Sequence, residues 1–454
     1  MTLVAGIDSS TQSVKVSVHD AETGVVVRQA CAPHPEGVSC PPQRWWEALS
    51  EASSGLLDGV AALAVAGQQH GMVTLDEAQK PVRPALLWSD TRSAAAAAAL
   101  VAELGAEEWA RAVGSVPVAA FTVTKLRWLA ENEPDLARRV TYVMLPHDYL
   151  TLRLGGVAVT DRGDASGTGY WSPATGQYRN DLVRRAFGRD VVLPRVASPH
   201  ELVAATPSGV LLAPGTGDNM ATALGLELTA GDVVISLGTS GTAFAISDTP
   251  TADASGAVAG FADATGKFLP LVCTLNAARV LAAVASLLGM GLDEIGRLAL
   301  TSPPGAEGLV LLPYLDGERT PNLPDATGSL LGLTRTNLTA ANIAQASVEG
   351  MLCGLADAVD ALRASGVVPK RLLLVGGAAS NAAVQQIAAT LFGIEVDVPT
   401  PAQYVARGAA WQAAWALADG VRPQWTLPVA QRFEPDLQPQ VRENYAAARA
   451  QVYG

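Results

Sequence analysis

The chain has 454 residues, 49% of them hydrophobic and 16% charged, which fits a globular protein of two or three domains and excludes a disordered one. Its formal net charge of −12 argues against a nucleic-acid or anionic-membrane partner, and no apolar run approaches the roughly 18 residues of a membrane span. Four cysteines without a C-x-x-C pair argue against a disulfide framework or zinc site, and MTLVAGIDSS lacks a secretion signal's features, so a cytoplasmic protein is expected.

Residues 3–20, LVAGIDSSTQSVKVSVHD, read as an apolar strand, a Gly/Asp/Ser/Thr turn and an outgoing, half-buried strand alternating at Val14, Val16 and Val18. LAVAGQQHG (63–71) runs from an apolar strand into a small-residue loop, and RSAAAAAALVAEL (92–104) is nearly all strong helix former. PGTGDNMATALG (214–225) then sets Asp218 behind two glycines at the mouth of a helix. Three readings of that acid compete. The glycines cradle phosphate; or Asp218 or Asn219 caps the helix; or the glycines clear room for Asp218 to reach a substrate. The first is weakest, because a dinucleotide fingerprint needs glycine where Met220 stands and pyrophosphate would meet the charge of Asp218.

The second half repeats the layout. DVVISLGTSGTAFAISD (232–248) is again strand, turn and strand, and LLLVGGAASN (372–381) is again a strand running into a glycine loop. Gly266-Lys267 is followed by Phe268, so no P-loop occurs. A long helix is predicted from an N-cap at Thr339 to Gly366, and its Gly350 and Gly354, four apart, predict a close helix approach. Strands alternating with helices make this an α/β chain of two halves, divided near 221–231, with Asp218 facing the cleft between them.

In this order, GIDSSTQSVKV (6–16), GQQHG (67–71), LWSDTR (87–92), KLRWLAEN (125–132), DRGDASGTGYW (161–171), GTGDNMATALG (215–225), SLGTSGT (236–242), PYLDGERTP (313–321), GSLLGLTRTNLTAANIAQASVEG (328–350) and LLVGGAASN (373–381) resemble the FGGY family of carbohydrate kinases over essentially the whole chain. The resemblance implies two actin-like, ribonuclease-H-like domains with an interdomain cleft: 1–224 carrying the sugar site and the first phosphate hairpin, and 225–454 carrying the nucleotide site. It implies ATP-dependent, Mg²⁺-requiring phosphorylation of D-xylulose on its 5-hydroxyl. Gluconate, ribulose, an alditol or a deoxysugar are the alternative acceptors, and an actin-like ATPase without a sugar is the rival from another class. The expected partners are a small sugar and ATP, with no nucleic acid, no membrane, and a homodimer left open. HPEGVSCPPQRWW (34–46) departs from the family's acidic-Gln-Pro stretch, so residues 36–44 receive no role.

Phosphoryl transfer asks a protein to align acceptor and nucleotide, neutralise charge and accept one proton. The resemblance implies Asp218 for the last task, as catalytic base. It implies Asp8 as a contact to Mg²⁺, directly or through water, where the residues alone allow a simple turn aspartate. Thr11, Ser13 and turn amides would hold the γ-phosphate, with Lys15 adding a positive charge unless it is merely a solvated strand lysine. Gly238 and Thr239 would face the other phosphates, and Gly376, Gly377 and Asn381 would form an adenosine platform, although GGAASN is also an ordinary strand-to-helix turn. Gln69, His70, Trp88, Asp218 and Asn219 would contact the sugar, with Asp90 beside them; His70 as a structural histidine and Trp88 as core are the bland alternatives.

Overall fold

Two mixed sheets organise the chain, and the computed structural model describes all of residues 1–454. Two compact units result: Met1–Leu228 with Asp248–Leu269 and Ala402–Leu427, and Thr229–Ser247 with Pro270–Pro401 and Pro428–Gly454. The α/β class is as expected, and no helix is long and apolar enough to cross a membrane.

In the first unit, strand Leu3–Ser9 pairs antiparallel with Ser13–Asp20, which pairs antiparallel with Val26–Pro33. On its other side Leu3–Ser9 runs parallel to Val60–Gly67. That strand in turn pairs parallel with the short strands Leu211–Leu212 and Thr216–Gly217. Val14, Val16 and Val18 are fully buried, as their alternation predicts, because apolar side chains two apart share one face of a strand.

The opposite face of that strand departs from the half-buried expectation: Ser17 and His19 are only 3% and 1% exposed. The cover comes from Ala402–Leu427, late in the chain. Helix Tyr404–Leu417 lies backbone to backbone on this unit, and Trp425 stacks on His19 at 5.5 Å between ring centroids. Glycines allow the approach. A Cβ on Gly6 would sit 1.8 Å from the Ala406 carbonyl oxygen, one on Gly408 1.8 Å from that of Ala221, and one on Gly225 2.0 Å from that of Tyr404. This seating is why Ala402–Leu427 belongs with the first unit although it lies late in the chain. We expect Gly408→Ala to destabilise the protein by at least about 3 kcal/mol in denaturant unfolding, because the obstacle is rigid backbone that no rotamer change relieves.

In the second unit, Asp232–Leu237 pairs antiparallel with Gly241–Ala245 and parallel with Arg371–Val375. Arg371–Val375 continues into parallel Glu395–Pro399, with antiparallel Val429–Phe433 at the edge. The layout of the first unit thus recurs: a hairpin whose first strand lies parallel to a strand ending in a glycine loop. Helix Ala340–Ala364 begins where predicted, with Thr339 Oγ1 accepting from the Asn342 amide at 3.2 Å. Its two glycines behave differently from the expected close helix approach. A Cβ on Gly350 would come 2.3 Å from the carbonyl oxygen of Leu311, on strand Val310–Leu312, whereas at Gly354 only Tyr445 Oη lies in range, at 3.8 Å. Close approach is therefore to a strand, and from one glycine only. Gly354→Ala should be neutral or stabilising by up to about 1 kcal/mol in the same unfolding measurement.

Candidate active site

Three neighbouring parallel strands of the first unit end side by side and deliver the candidate residues. Asp8 lies opposite Ala66, and Gly217 opposite Gly67, so Asp8, Gln69 and Asp218 emerge from the same, carboxyl, end of the sheet. Open α/β sheets place ligands at that end. Gly217 must be small, since a Cβ there would lie 2.8 Å from Gln69 Cγ and 3.1 Å from Asp164 Oδ1.

Asp218 is the first residue of helix Asp218–Gly225, and the residue before it, Gly217, makes no side-chain cap. Asp218 thus stands one position inside the helix rather than at the assigned cap, and its carboxylate meets the first turn from there. Asp218 Oδ1 accepts from the Asn219 amide at 2.8 Å and from Asn219 Nδ2 at 3.1 Å. The same Asn219 Nδ2 donates to Gln69 Oε1 at 2.8 Å, tying three of the sequence candidates into one chain. Gln69 is buried, and its Nε2 has no partner. Burial, reinforced by the neighbouring carboxylates of Asp164 and Asp8, raises Asp218 to about 7. A group poised there can take a proton near neutrality.

Asp8 is buried at the end of its strand, directly across the hairpin from Lys15. Lys15 Nζ stands 3.4 Å from Asp8 Oδ2, so the lysine is an ion-pair partner rather than a solvated cation, while Asp8 Oδ1 is buried without a partner. Burial raises the Asp8 carboxyl, and Lys15 opposes that shift. Ser13 and Lys15 also line a pocket of about 290 Å³ with Ser17, Gln29, Cys31 and Gln403. Trp88 is 47% exposed and is not core; its Nε1 donates to Thr11 Oγ1 at 2.9 Å. Asp90 differs from expectation: it is buried and accepts Arg92 Nε with both oxygens, at 2.9 and 2.8 Å, so its carboxylate is already used.

His70 adopts φ 64°, a left-handed conformation uncommon outside glycine. Its Nδ1 donates to the Gly167 carbonyl at 2.6 Å and its ring stacks on Phe121 at 4.8 Å.

Behind Asp218 lies a group that sequence reasoning passed over. His147 Nδ1 donates to Asp164 Oδ2 at 2.6 Å, and His147 Nε2 stands 3.1 Å from Asp148 Oδ1. Asp161 Oδ2 accepts from Thr216 Oγ1 at 2.7 Å, and all four charged side chains are essentially inaccessible. Burial opposes protonation of His147, but Asp148, Asp164 and Asp161 outweigh it and raise the imidazole to about 9. Burial raises Asp148 to about 7 and Asp161 to about 6, and raises Asp164 as well. The cluster is the seat of the strand that carries Asp218: a Cβ on Gly215 would lie 2.9 Å from His147 Cδ2, Thr216 bonds Asp161, and Gly217 abuts Asp164.

The second unit holds the remaining candidates. Gly238 and Thr239 form the exposed turn of the hairpin, with the Gly238 carbonyl accepting from the Ala278 amide at 3.0 Å. Arg279, which carried no sequence signal, donates to the Thr239 carbonyl and to Ser240 Oγ, each at 3.3 Å, and pairs with Asp316. Gly376 (φ 94°) and Gly377 are exposed, and a Cβ on Gly376 would strike the Leu237 carbonyl oxygen at 2.7 Å. Asn381 is the N-cap of helix Ala382–Phe392, its oxygen accepting from the Ala383 and Val384 amides and its Nδ2 donating to the Leu292 carbonyl at 3.0 Å. The oxygen is used by the cap, and one of the two Nδ2 protons remains after the bond to Leu292.

The N-terminal domain model of the FGGY family of carbohydrate kinases matches residues 3–225, and its C-terminal domain model matches residues 233–417. A xylulose kinase from Streptomyces coelicolor is 47% identical over 458 residues, covering 96% of this chain and 93% of its own. A xylulose kinase from Escherichia coli is 33% identical, covering 95% and 94%. Among solved structures, a xylulose kinase from Bifidobacterium adolescentis superposes with a TM-score of 0.94 at 44% identity, covering 99% of both chains.

Proposed function

The chain belongs to the FGGY family of carbohydrate kinases, and we propose that it transfers the γ-phosphoryl group of ATP to the 5-hydroxyl of D-xylulose with Asp218 as general base. The observation that carries this reading is the Asp218–Asn219–Gln69 chain at the carboxyl end of the first sheet. Its carboxyl sits near neutrality, and the unpartnered Gln69 Nε2 beside it is a donor for a sugar oxygen.

The chemistry then follows from the residues. Both internal bonds of Asp218 fall on Oδ1, which leaves Oδ2 to accept the hydrogen bond, and then the proton, of the 5-hydroxyl. Asn219 and Gln69 fix the carboxylate's orientation, so alignment is settled before the nucleotide reacts. His70 and the exposed Trp88 contribute further sugar contacts, and Trp88 holds the Thr11 hydroxyl beside the phosphate-side turn.

No three His, Cys, Asp or Glu side chains gather into a metal cage. Asp8 fits the alternative arrangement: one buried oxygen without a partner, available to Mg²⁺ or to a water on it. The cation, when bound with ATP, would neutralise phosphate charge. Lys15 holds the other Asp8 oxygen and opposes the upward shift that burial imposes on the carboxyl. In the second unit, the 238–242 turn amides suit phosphate oxygens, Gly376 and Gly377 present flat backbone to a purine, and Arg279 and Asn381 hold those loops in shape.

The test is ADP release measured with Mg²⁺-ATP over D-xylulose, D-ribulose, gluconate, xylitol and deoxysugars. We expect kcat/KM for D-xylulose to exceed that of every other acceptor by about tenfold or more, the discrimination that hydrogen-bonded sugar sites provide. A better acceptor among the others overturns the substrate, and ADP release without any acceptor dependence overturns the kinase reading.

A further inference from the structure

Lys125 is a fully buried cation with no carboxylate against its ammonium group. It lies in helix Thr122–Asn132 and is 0% exposed. Its Nζ donates to the carbonyl oxygen of His70 at 3.0 Å and to that of Ala120. The same His70 oxygen accepts from Thr122 Oγ1 at 3.2 Å. Two donors from one helix turn therefore converge on the carbonyl of the one residue in the GQQHG loop that carries a side chain and a left-handed backbone.

The rest of that helix start grips the same residue. Phe121, immediately before Thr122, stacks on the His70 ring, and Phe261 packs against it at 5.5 Å. The Nδ1 edge of the ring meets Gly167, whose carbonyl takes the Nδ1 proton and where a Cβ would lie 2.7 Å from that nitrogen. A left-handed backbone on histidine persists only where the surroundings hold it. Here they do so through the peptide carbonyl, the stacked Phe121 ring and the bond from Nδ1.

We propose that Lys125 is a positioning residue for sugar binding: by clamping the His70 carbonyl together with Thr122, it holds the Gln69–His70 turn in the conformation that presents both side chains to the acceptor. The proposal rests on the reading that His70 contacts the sugar. Burying an unpaired ammonium is unfavourable, and packing alone would be served better by leucine or methionine. The donors are what an apolar residue cannot supply.

Burial lowers Lys125 to about 7, and only the field of Asp90 opposes the shift; Asp90 is itself tied to Arg92. The other charges on and around this helix are engaged elsewhere. Arg127 pairs with Glu103 and Glu131, Arg185 pairs with Glu103, and Arg83 pairs with Glu133. The imidazole of His70 is the remaining titratable group at the clamp. Loss of the ammonium charge weakens a charge-assisted bond without removing it, so the clamp slackens as pH rises through neutrality.

Steady-state kinetics of Lys125→Met, His70→Ala and the double variant test the proposal, with hydrogen exchange across residues 67–72. Lys125→Met should raise the KM for D-xylulose about tenfold while kcat and the KM for ATP stay within about twofold, the size expected for losing charged hydrogen bonds to one positioned group. The exchange protection of 67–72 should fall. In the His70→Ala background, Lys125→Met should add little to KM, because the two residues act as one unit. Thr122→Val, which removes a single neutral donor, should raise the sugar KM by a smaller factor and serves if Lys125→Met does not fold. A fall in kcat at unchanged KM, additive effects in the double variant, or unchanged exchange would each overturn the proposal. If His70→Ala leaves the sugar KM unaltered while exchange rises in Lys125→Met, the clamp stands as a backbone device, but its link to the sugar through His70 is refuted.

Discussion

Asp218→Asn is expected to lower kcat for D-xylulose by about 10³-fold at pH 7.5 while melting is retained, the scale on which a positioned general base acts. Asparagine keeps the shape and can still accept from the Asn219 amide, so the loss reports the proton acceptor rather than a collapsed helix. Direction with pH gives a second readout. The carboxyl is raised to about 7, so it is protonated below that pH, and kcat/KM should fall about tenfold per unit on the acid side. The residual activity of Asp218→Asn should lack that limb. Stability should move the other way. A carboxyl raised on folding binds its proton more tightly in the folded chain, so stability declines as pH rises from about 4 through 7. The asparagine variant escapes that cost and should melt at the same temperature or a few degrees higher at pH 8. Near-full turnover in the variant, or an acid limb unchanged by it, would remove Asp218 from the chemistry.

The parts of the site that were legible in the sequence are those whose cause is local. Hairpins at 3–20 and 232–248, the Thr339 cap and the glycine loops rest on short-range rules of alternation, capping and turn chemistry, and each is present. The link between Gln69 and Asn219, 150 residues apart, comes only from parallel pairing of Val60–Gly67 with Thr216–Gly217. The cover over Ser17 and His19 was illegible for the same reason: Gly6, Gly225 and Gly408 mark a backbone contact only once the sheet brings them together.

Lys125 and His147 show a different kind of blindness. Each looks like an ordinary surface residue in KLRWLAEN and LPHDYL, and nothing within a few positions says that its charge is buried. Asp164 lies within DRGDASGTGYW, where neighbouring letters give it no role, since its meaning depends on Gly217 and His147 beside it. At Asn381 the sequence offers two readings, a cap or a ligand contact, because its position before a helix suits both; the structure shows the cap.

His147→Leu should be the most damaging substitution away from the reacting groups, because it removes the one cation from a pocket holding Asp148, Asp161 and Asp164. Breaking a buried pair on one side costs about 3–5 kcal/mol, which we expect as a fall of roughly 10 °C in melting temperature near pH 7.5. The sign of the pH dependence follows from the directions of the shifts. His147 is raised, so its contribution is complete below about 6.5 and is lost as pH climbs through about 9. The three aspartates are also raised, so each favours the folded state less as pH rises out of the acid range. His147 and Asp148, raised to about 9 and about 7, make the native protein more stable near pH 6 than near pH 9. Without the imidazolium the aspartates hold their protons still more tightly. The deficit of His147→Leu should therefore be smallest near pH 5, widen toward pH 8, and narrow above pH 9, where the native histidine has itself lost its charge. Adding Asp164→Asn should recover part of the loss by deleting an uncompensated carboxylate, and by itself should shift the acid limb of kcat/KM to lower pH, since Asp164 is one of the two neighbours that raise Asp218. A deficit independent of pH, with no recovery in the double variant, would mean that His147 serves only as packing.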